Sequence, residues 1–329
     1  MERIANQYRI IAAGAGWIDR SARGRLRFAG KDARAFLQAL VTNDLDGIAA
    51  GSGIDAAYLT PQGRMIAMLR ILVSASDVLV EAAPGQAADL ATRFDQLIFA
   101  EQATVSDITD ATAVLGVVGS DAASVVARAI DVDREGVATL AILGHLASGD
   151  TFVVRVDDAP LPGYAIWAPV AKRQLIIERV ADAGAIEIDP LLDDALRIDA
   201  GRPAFGIDMT QETIPLEAGL LERAISTTKG CYVGQEVIIR VLHRGAGRVA
   251  RRLVRLTFDR AVTSPPRPDT PLFAADKETG RITSAAWSPR SDRVVALGYV
   301  HRDAATLGAR VVARTPEGDL AAEIAGFAG

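Results

Sequence analysis

The periodicity of the chain changes character near Gly247, and that change limits the possible folds more than any other feature. Before it, strand-length and helix-length apolar segments follow one another; after it, only short β-rich runs remain, separated by proline and charged turns. Such a chain reads as an α+β region over residues 1–245 followed by a small all-β domain over 246–329. Within the first region, residues 24–29 alternate as a strand, Gly30 turns, and 32–41 form a helix with Phe36, Leu37 and Leu40 on one face. A hairpin over 56–60 and 64–73 turns at Pro61-Gln62-Gly63, and a strand over 78–82 and a helix over 87–97 follow. A comparable set runs over 113–180: an apolar strand, an Ala-rich helix after Ser120-Asp121, a strand over 152–156, and a helix over 170–183. A helix over 194–201 then enters a Gly- and Pro-broken loop over 201–208. In the last domain strands are expected over 251–258, 283–287, 294–300 and 309–313, with the proline-rich run 264–269 as a surface loop.

Composition narrows the function classes. With 329 residues, half of them hydrophobic, the chain can bury a large core or two domains. Lys and Arg total 36 against 41 Asp and Glu, a formal charge of -5, which argues against holding nucleic acid by overall charge. A local basic cluster, Arg240, His243, Arg244, Arg248, Arg251 and Arg252, is suited to steering RNA, an acidic protein or a polyglutamate tail, or is simply a solvated face. One cysteine makes no internal disulfide. With histidines only at 145, 243 and 301 there is no four-ligand zinc set, and one thiolate does not hold an Fe–S cluster internally, although it can ligate one shared with a partner. Residues 1–8 lack the basic start and apolar run of a secretory signal, and the apolar stretches 65–73 and 111–118 are too short to span a bilayer; a cytoplasmic, membrane-free protein is expected.

The lone thiol lies in Lys229-Gly230-Cys231-Tyr232-Val233-Gly234-Gln235-Glu236, a polar, glycine-flanked setting unlike that of a buried structural cysteine. Gly230 and Gly234 permit tight backbone geometry, and Lys229 beside the sulfur is placed to favour the thiolate. Cys231 is thus a candidate nucleophile, redox-sensitive thiol or transient ligand, with Lys229 its activator, Tyr232 a gate, and Gln235 and Glu236 bracing the loop. No base is fixed beside it in sequence, so hydrolytic Cys/His chemistry is the least supported of these.

This octet resembles the K-G-C-Y-x-G-Q-E signature of YgfZ-type folate-binding proteins, relatives of the glycine-cleavage T-protein (aminomethyltransferase). Thr42-Asn43-Asp44, Leu59-Thr60-Pro61-Gln62-Gly63, the R-x-x-x-G-x-P-x-x-G stretch from Arg197 to Gly206, Pro215-Leu216-Glu217 and Gly280-Arg281-Ile282-Thr283-Ser284 resemble further segments of that superfamily. The resemblance implies two α+β, ferredoxin-like lobes and a C-terminal antiparallel β-barrel around a central folate-sized pocket. It also implies tetrahydrofolate or a derivative as cofactor, no internally bound metal, and Fe–S client or assembly proteins as partners. Two departures stand out. The acidic pair that aminomethyltransferases carry after the T-P-Q-G turn falls here on Ala67 and Met68, and the pterin-binding glutamate of a G-[FY]-E segment falls on Ala165.

Further cofactor-site candidates are Tyr164 and Trp167 for ring stacking, Arg197 for the folate carboxylates, and Glu217 and Tyr232 for orienting pocket groups. Each has an ordinary alternative in core packing or surface ion pairing. The functions open at this level are a folate-linked accessory protein for Fe–S cluster synthesis or repair, a one-carbon transferase using an acid such as Asp44 or Asp55, and a noncatalytic module docking RNA or protein through Arg248, Arg251 and Arg252.

Overall fold

Strand-length runs, some alternating and some apolar throughout, build two antiparallel-rich sheets, each with helices on one face only. The computed structural model describes residues 1–243 and 248–329; the expected domain boundary at 245/246 and Arg244 lie outside the described residues. The first sheet has strand order Ser52–Leu59, Met65–Val73, Asp77–Ala82, Gly24–Ala29, Thr104–Asp107. Its helices Ala33–Leu40 and Ala87–Asp95 bury Phe36, Leu37, Leu90 and Phe94 against Phe28, Tyr58, Leu69 and Ile71. Phe94 is the hub, with ring centroids 5.2 Å from Phe28 and 4.8 Å from Tyr58. The first helix stops at Leu40 because Val41 turns extended and bridges Tyr58.

The second sheet is six-stranded: Ile186–Glu187, Gly16–Asp19, Thr112–Val118, Gly163–Pro169, Thr151–Val156, His145–Ser148. Helices Ala122–Ile130 and Arg173–Asp182 cover one face. The strand Gly16–Asp19 precedes the whole first lobe in sequence yet pairs within the second sheet, so the lobes interlock. The helix Glu2–Ala13 leads into it, and neither element was expected.

The two helix-free faces meet. Leu72 and Leu79 of the first sheet pack with Val114, Val154, Ala165 and Trp167 of the second, and Trp167 stacks on Phe152 at 5.3 Å. This interface is apolar at Leu72; two residues back along the same strand face it becomes ionic at Arg70, and two further back it opens at Met68.

The helix Pro190–Asp199, capped by the Asp189 carboxylate accepting from Leu191 N at 2.9 Å, carries the chain to the barrel. Six antiparallel strands close it in the order Arg251–Phe258, Arg293–His301, Lys277–Ser288, Pro271–Ala274, Arg310–Thr315, Gly318–Phe327. Val254, Leu256, Phe258, Ile282, Val300 and Ile324 fill its interior. The fold is therefore the α+β pair of lobes with a C-terminal antiparallel barrel, as the resemblance implied. The strands Pro271–Ala274 and Gly318–Phe327 are additions to the expectation. No helix among the described residues is long and apolar enough to cross a membrane.

Candidate functional site

Three of the segments marked out in the sequence meet at one joint. Thr42 Oγ1 donates to Ala224 O at 2.6 Å and accepts from Ala57 N at 2.8 Å, while Asn43 Nδ2 donates to Asp55 O at 2.9 Å. Lys229 reaches into this joint: its Nζ donates to Gln38 O (2.6 Å), Val41 O (2.7 Å) and Asn43 O (2.9 Å). These are carbonyls at and beyond the end of the helix Ala33–Leu40, where a cation both satisfies free acceptors and meets the negative end of the helix dipole. The Tyr232 ring lies 5.3 Å from the same ammonium. Burial lowers the Lys229 pKa to about 8, with Asp44 and Asp46 pulling the other way.

Glycines mark the second contact of the Cys231 loop. Gly234 sits at φ +81°, and a Cβ there would lie 2.5 Å from Thr60 O and 3.0 Å from Leu59 Cβ. Gly63, at φ +74°, rests against Val237 in turn. The cysteine loop and the T-P-Q-G turn are thus packed on each other through a glycine from each side. Cys231 itself is exposed. Gly230 has open space beside it, and Tyr232 is buried in the cluster that includes Leu59, Met65 and Ile238. Gln235 and Glu236 begin a helix, Gln235–His243, where a continued loop was expected; Glu236 pairs with Arg240 one turn on.

Strand register creates a charged row that no stretch of sequence displays. Asp55 lies opposite Arg70, Arg70 opposite Glu81, and Glu81 opposite Arg25, so four neighbouring strands set alternating charges side by side on the helix-free face. The second lobe adds Asp157 and Asp158 just past the strand Thr151–Val156, and Arg20 just past Gly16–Asp19. Asp158 receives Arg70 Nη2 and Arg20 Nη1, each at 2.9 Å; Arg23 Nη1 donates to Glu81 Oε1 at 2.6 Å; Arg223 meets Asp55 at 2.5 Å and Asp157 at 2.8 Å. Arg202 also pairs with Asp157. Burial works to raise the Asp158 pKa, but Arg70, Arg23 and Arg20 outweigh it and hold the carboxyl well below the usual range. Glu81 is likewise lowered: burial opposes, and Arg23 and Arg70 prevail.

This network is the partition between two cavities. The larger, about 1170 Å³, opens between the lobes and the barrel and is bordered by Arg248, Arg252, Arg302, Leu216, Leu242 and Phe327. The smaller, about 320 Å³, has Met68, Leu69, Pro84, Phe205 and Leu220 beside Arg70, Glu81 and Asp158. Asp55, Arg202 and Arg223 border both. Met68 therefore faces a cavity, whereas Ala67 packs into the first lobe's core.

The expected cofactor residues are dispersed. Tyr164 is buried against the second lobe's helices and accepts from Arg155 Nη1 at 2.6 Å; Trp167 is in the interlobe cluster; neither borders either cavity. Arg197 borders the smaller cavity, with its guanidinium on Asp194, Asp208 and the Arg202 carbonyl. Glu217 is buried and pairs with Arg251 at 2.9 Å, joining the P-x-E segment to the barrel. Arg251 also lies over Tyr299, and Arg252 over Phe327. Asp44 accepts from Gln38 and Asp46 N at the surface, away from both cavities. Arg70, Glu81, Asp157, Asp158, Arg202 and Arg223 were missed: they come from five separate stretches of sequence, and only the folded arrangement of the lobes brings them together.

Comparison with known proteins gives the same outline. Residues 1–229 match the model of the GCVT N-terminal domain, and 251–327 match the glycine cleavage T-protein C-terminal barrel domain. An aminomethyltransferase of Moorella thermoacetica is 30% identical over 94% of this chain and 84% of its own length. A protein named as a chloroplastic transferase in Arabidopsis thaliana is 26% identical over 88% of this chain, which spans 66% of that relative. The crystal structure of the glycine cleavage system aminomethyltransferase T from Bartonella henselae superposes with a TM-score of 0.88 over 98% of this chain and 88% of the other, at 22% identity, a likeness of fold.

Proposed function

Because the chain belongs to the glycine-cleavage T-protein family, we propose that it binds a reduced folate in its central cavities and acts as a YgfZ-type accessory protein for Fe–S cluster synthesis or repair, with Cys231 its reactive residue. The observation that carries this reading is the exposed thiol at the tip of a loop clamped by Lys229 on one side and Gly234 on the other, a loop that borders neither central cavity, together with Met68 on the wall of the smaller one. A methionine neither holds a cationic amine nor moves a proton, so aminomethyl transfer lacks its acid at that position.

The lining fits a folate. Met68, Leu69, Phe205 and Leu220 suit the flat ring, and Arg248, Arg252 and Arg302 at the mouth of the larger cavity suit the carboxylates of the tail. When bound, the folate supplies a one-carbon unit or its reduced nitrogens. The protein's own part is to orient the ring through the charged row and to present the thiol to a one-carbon adduct, a sulfur species or a partner's cluster.

A one-carbon transferase using Asp55 is less well supported, because Arg70 and Arg223 stand against both oxygens of that carboxylate and occupy it as an ion-pair partner. Docking of RNA draws less support from Arg251 and Arg252 now that the first is spent on Glu217 and the second lies over Phe327.

Calorimetric titration with tetrahydrofolate and folinic acid, on wild type and Cys231→Ser, tests the proposal. Both proteins are expected to bind, while only wild type supports the activity of an Fe–S client enzyme in cells. Absence of binding by either would overturn the folate reading and bring the binding-module alternative forward.

A further inference from the structure

Ala165 faces the apolar interlobe cluster, packed with Leu72, Val114 and Trp167, and borders neither cavity. The position from which relatives direct a carboxylate to the pterin is therefore unable to do so here. A pterin still presents an edge of N–H donors next to a ring carbonyl, and burying such an edge without partners is costly.

Two residues that border the smaller cavity carry a buried acceptor and a buried donor without hydrogen-bond partners among the described residues. Glu81 is 5% exposed; its Oε1 accepts from Arg23, and among the described residues its Oε2 has no hydrogen-bond donor. Arg70, 9% exposed, holds Asp158 through Nη2, and among the described residues its Nε and Nη1 have no hydrogen-bond acceptor. The nearest carboxylate oxygens, on Asp55 and Glu81, lie at 3.6 and 3.5 Å, within reach of charge but beyond a good hydrogen bond. Both residues border the cavity of about 320 Å³, whose other walls are Met68, Leu69, Phe205 and Leu220. An ionised carboxylate oxygen with no donor beside an apolar slot is a site for an N–H, and guanidinium nitrogens with no acceptor next to it are a site for a carbonyl oxygen. A two-ring heterocycle fits that volume, and Asp55, Arg202 and Arg223, which border both cavities, stand between it and the larger one.

We propose that Glu81 and Arg70 form the pterin-reading pair of this protein, Glu81 Oε2 accepting from the 2-amino group and Arg70 donating to the ring carbonyl, in place of the carboxylate absent at Ala165. This deepens the folate reading and rests on it. The pair makes Glu81 a specificity residue: the protein distinguishes a 2-amino pterin from one lacking that group.

Binding of tetrahydrofolate and of its 2-desamino-2-methyl analogue is measured on wild type, Glu81→Gln and Glu81→Asp, with circular dichroism to establish folding. Wild type is expected to prefer tetrahydrofolate by roughly tenfold to a hundredfold, the range for a hydrogen bond to a charged group. In Glu81→Gln the preference collapses because tetrahydrofolate alone weakens; a merely structural role would weaken both ligands equally. Wild type that binds tetrahydrofolate without preferring it, or a folded variant that keeps the preference, overturns the inference and leaves folate binding standing. Wild type that binds neither ligand overturns the folate reading itself. Should Glu81→Gln not fold, the wild-type ratio and Glu81→Asp decide: a ratio near one in wild type, or an undiminished one in Glu81→Asp, counts against the pair.

Discussion

Lys229 shows how a residue two places from a thiol serves something else in the structure. Its ammonium is engaged by three carbonyls at the end of the helix Ala33–Leu40, so its evident work is to fasten the Cys231 loop to the first lobe. Lys229→Met leaves those acceptors without their common donor and is expected to cost about 2 kcal/mol, measured by urea unfolding. The pH dependence has a definite sign. Burial lowers the folded pKa from 10.5 to about 8, so between those values the unfolded chain binds the extra proton and the contribution of this residue to stability rises with pH. The gap in unfolding free energy between wild type and Lys229→Met should therefore widen from about pH 8 to pH 10.5. A constant gap would show that the folded ammonium titrates like that of the free chain.

Between elements, the chain is held by single buried acids that accept several donors at once. Asp208, 2% exposed, accepts Thr283 Oγ1 (2.5 Å) and Ser284 Oγ (2.6 Å) on one oxygen, and Arg197 Nη1 (2.5 Å) and Ala204 N (3.0 Å) on the other. It locks the Gly- and Pro-broken loop after helix Pro190–Asp199 to the barrel strand Lys277–Ser288, which explains why both segments carry recognisable residues. Asp208→Asn removes the charge facing Arg197 and is expected to cost about 3 kcal/mol, whereas Thr283→Val, which spares that pair, costs about 1 kcal/mol; equal losses in urea unfolding would put the lock in the hydroxyls instead. Much at this scale was legible. Strands such as Arg251–Phe258 alternate from Val254 onward, and the cysteine loop and T-P-Q-G turn, noticed separately, do meet. The helix Gln235–His243 was missed although Ile238, Val241 and Leu242 have helical spacing, because the glycines before it suggested a loop and the basic run from Arg240 onward suggested a solvated face. The strand Gly318–Phe327 was missed because its alternation rests on alanines, and it gains its burial from barrel closure. The row Asp55, Arg70, Glu81, Arg25 was beyond reach, since pairing register is a property of the folded sheet.

At the scale of the whole molecule, the lobes are joined by an apolar cluster around Leu72 and Trp167 and by the ionic partition around Asp158, and the two respond differently to acid. Asp158 takes charge from Arg70 on a strand of the first sheet and from Arg20 and Arg23 in the connection between the strands Gly16–Asp19 and Gly24–Ala29. Its folded pKa lies well below the ordinary value of 3.8, and that of Glu81 lies below 4.5, so the unfolded chain takes up their protons first as pH falls. The stability they contribute is fully present above about pH 5 and is lost as pH drops through the unfolded values toward the folded ones. At pH 7 Asp158→Asn leaves the buried Arg70 and the half-buried Arg20 and Arg23 short of a counter-charge and is expected to cost about 3 kcal/mol. In acid the wild-type carboxyl is itself neutralised on unfolding, so the gap between the two proteins should begin to narrow between about pH 5 and pH 3 and close only below that. Urea midpoints at a series of pH values, read through tryptophan fluorescence in a Trp17→Phe, Trp287→Phe background that leaves the Phe152-stacked Trp167, follow that change at the joint between the lobes. Because the partition is buried, 1 M salt should scarcely shift the pH 7 difference, as it would for a surface pair. A wild-type advantage unchanged down to pH 3 would mean that the lobes are held by the Leu72 and Trp167 contact alone.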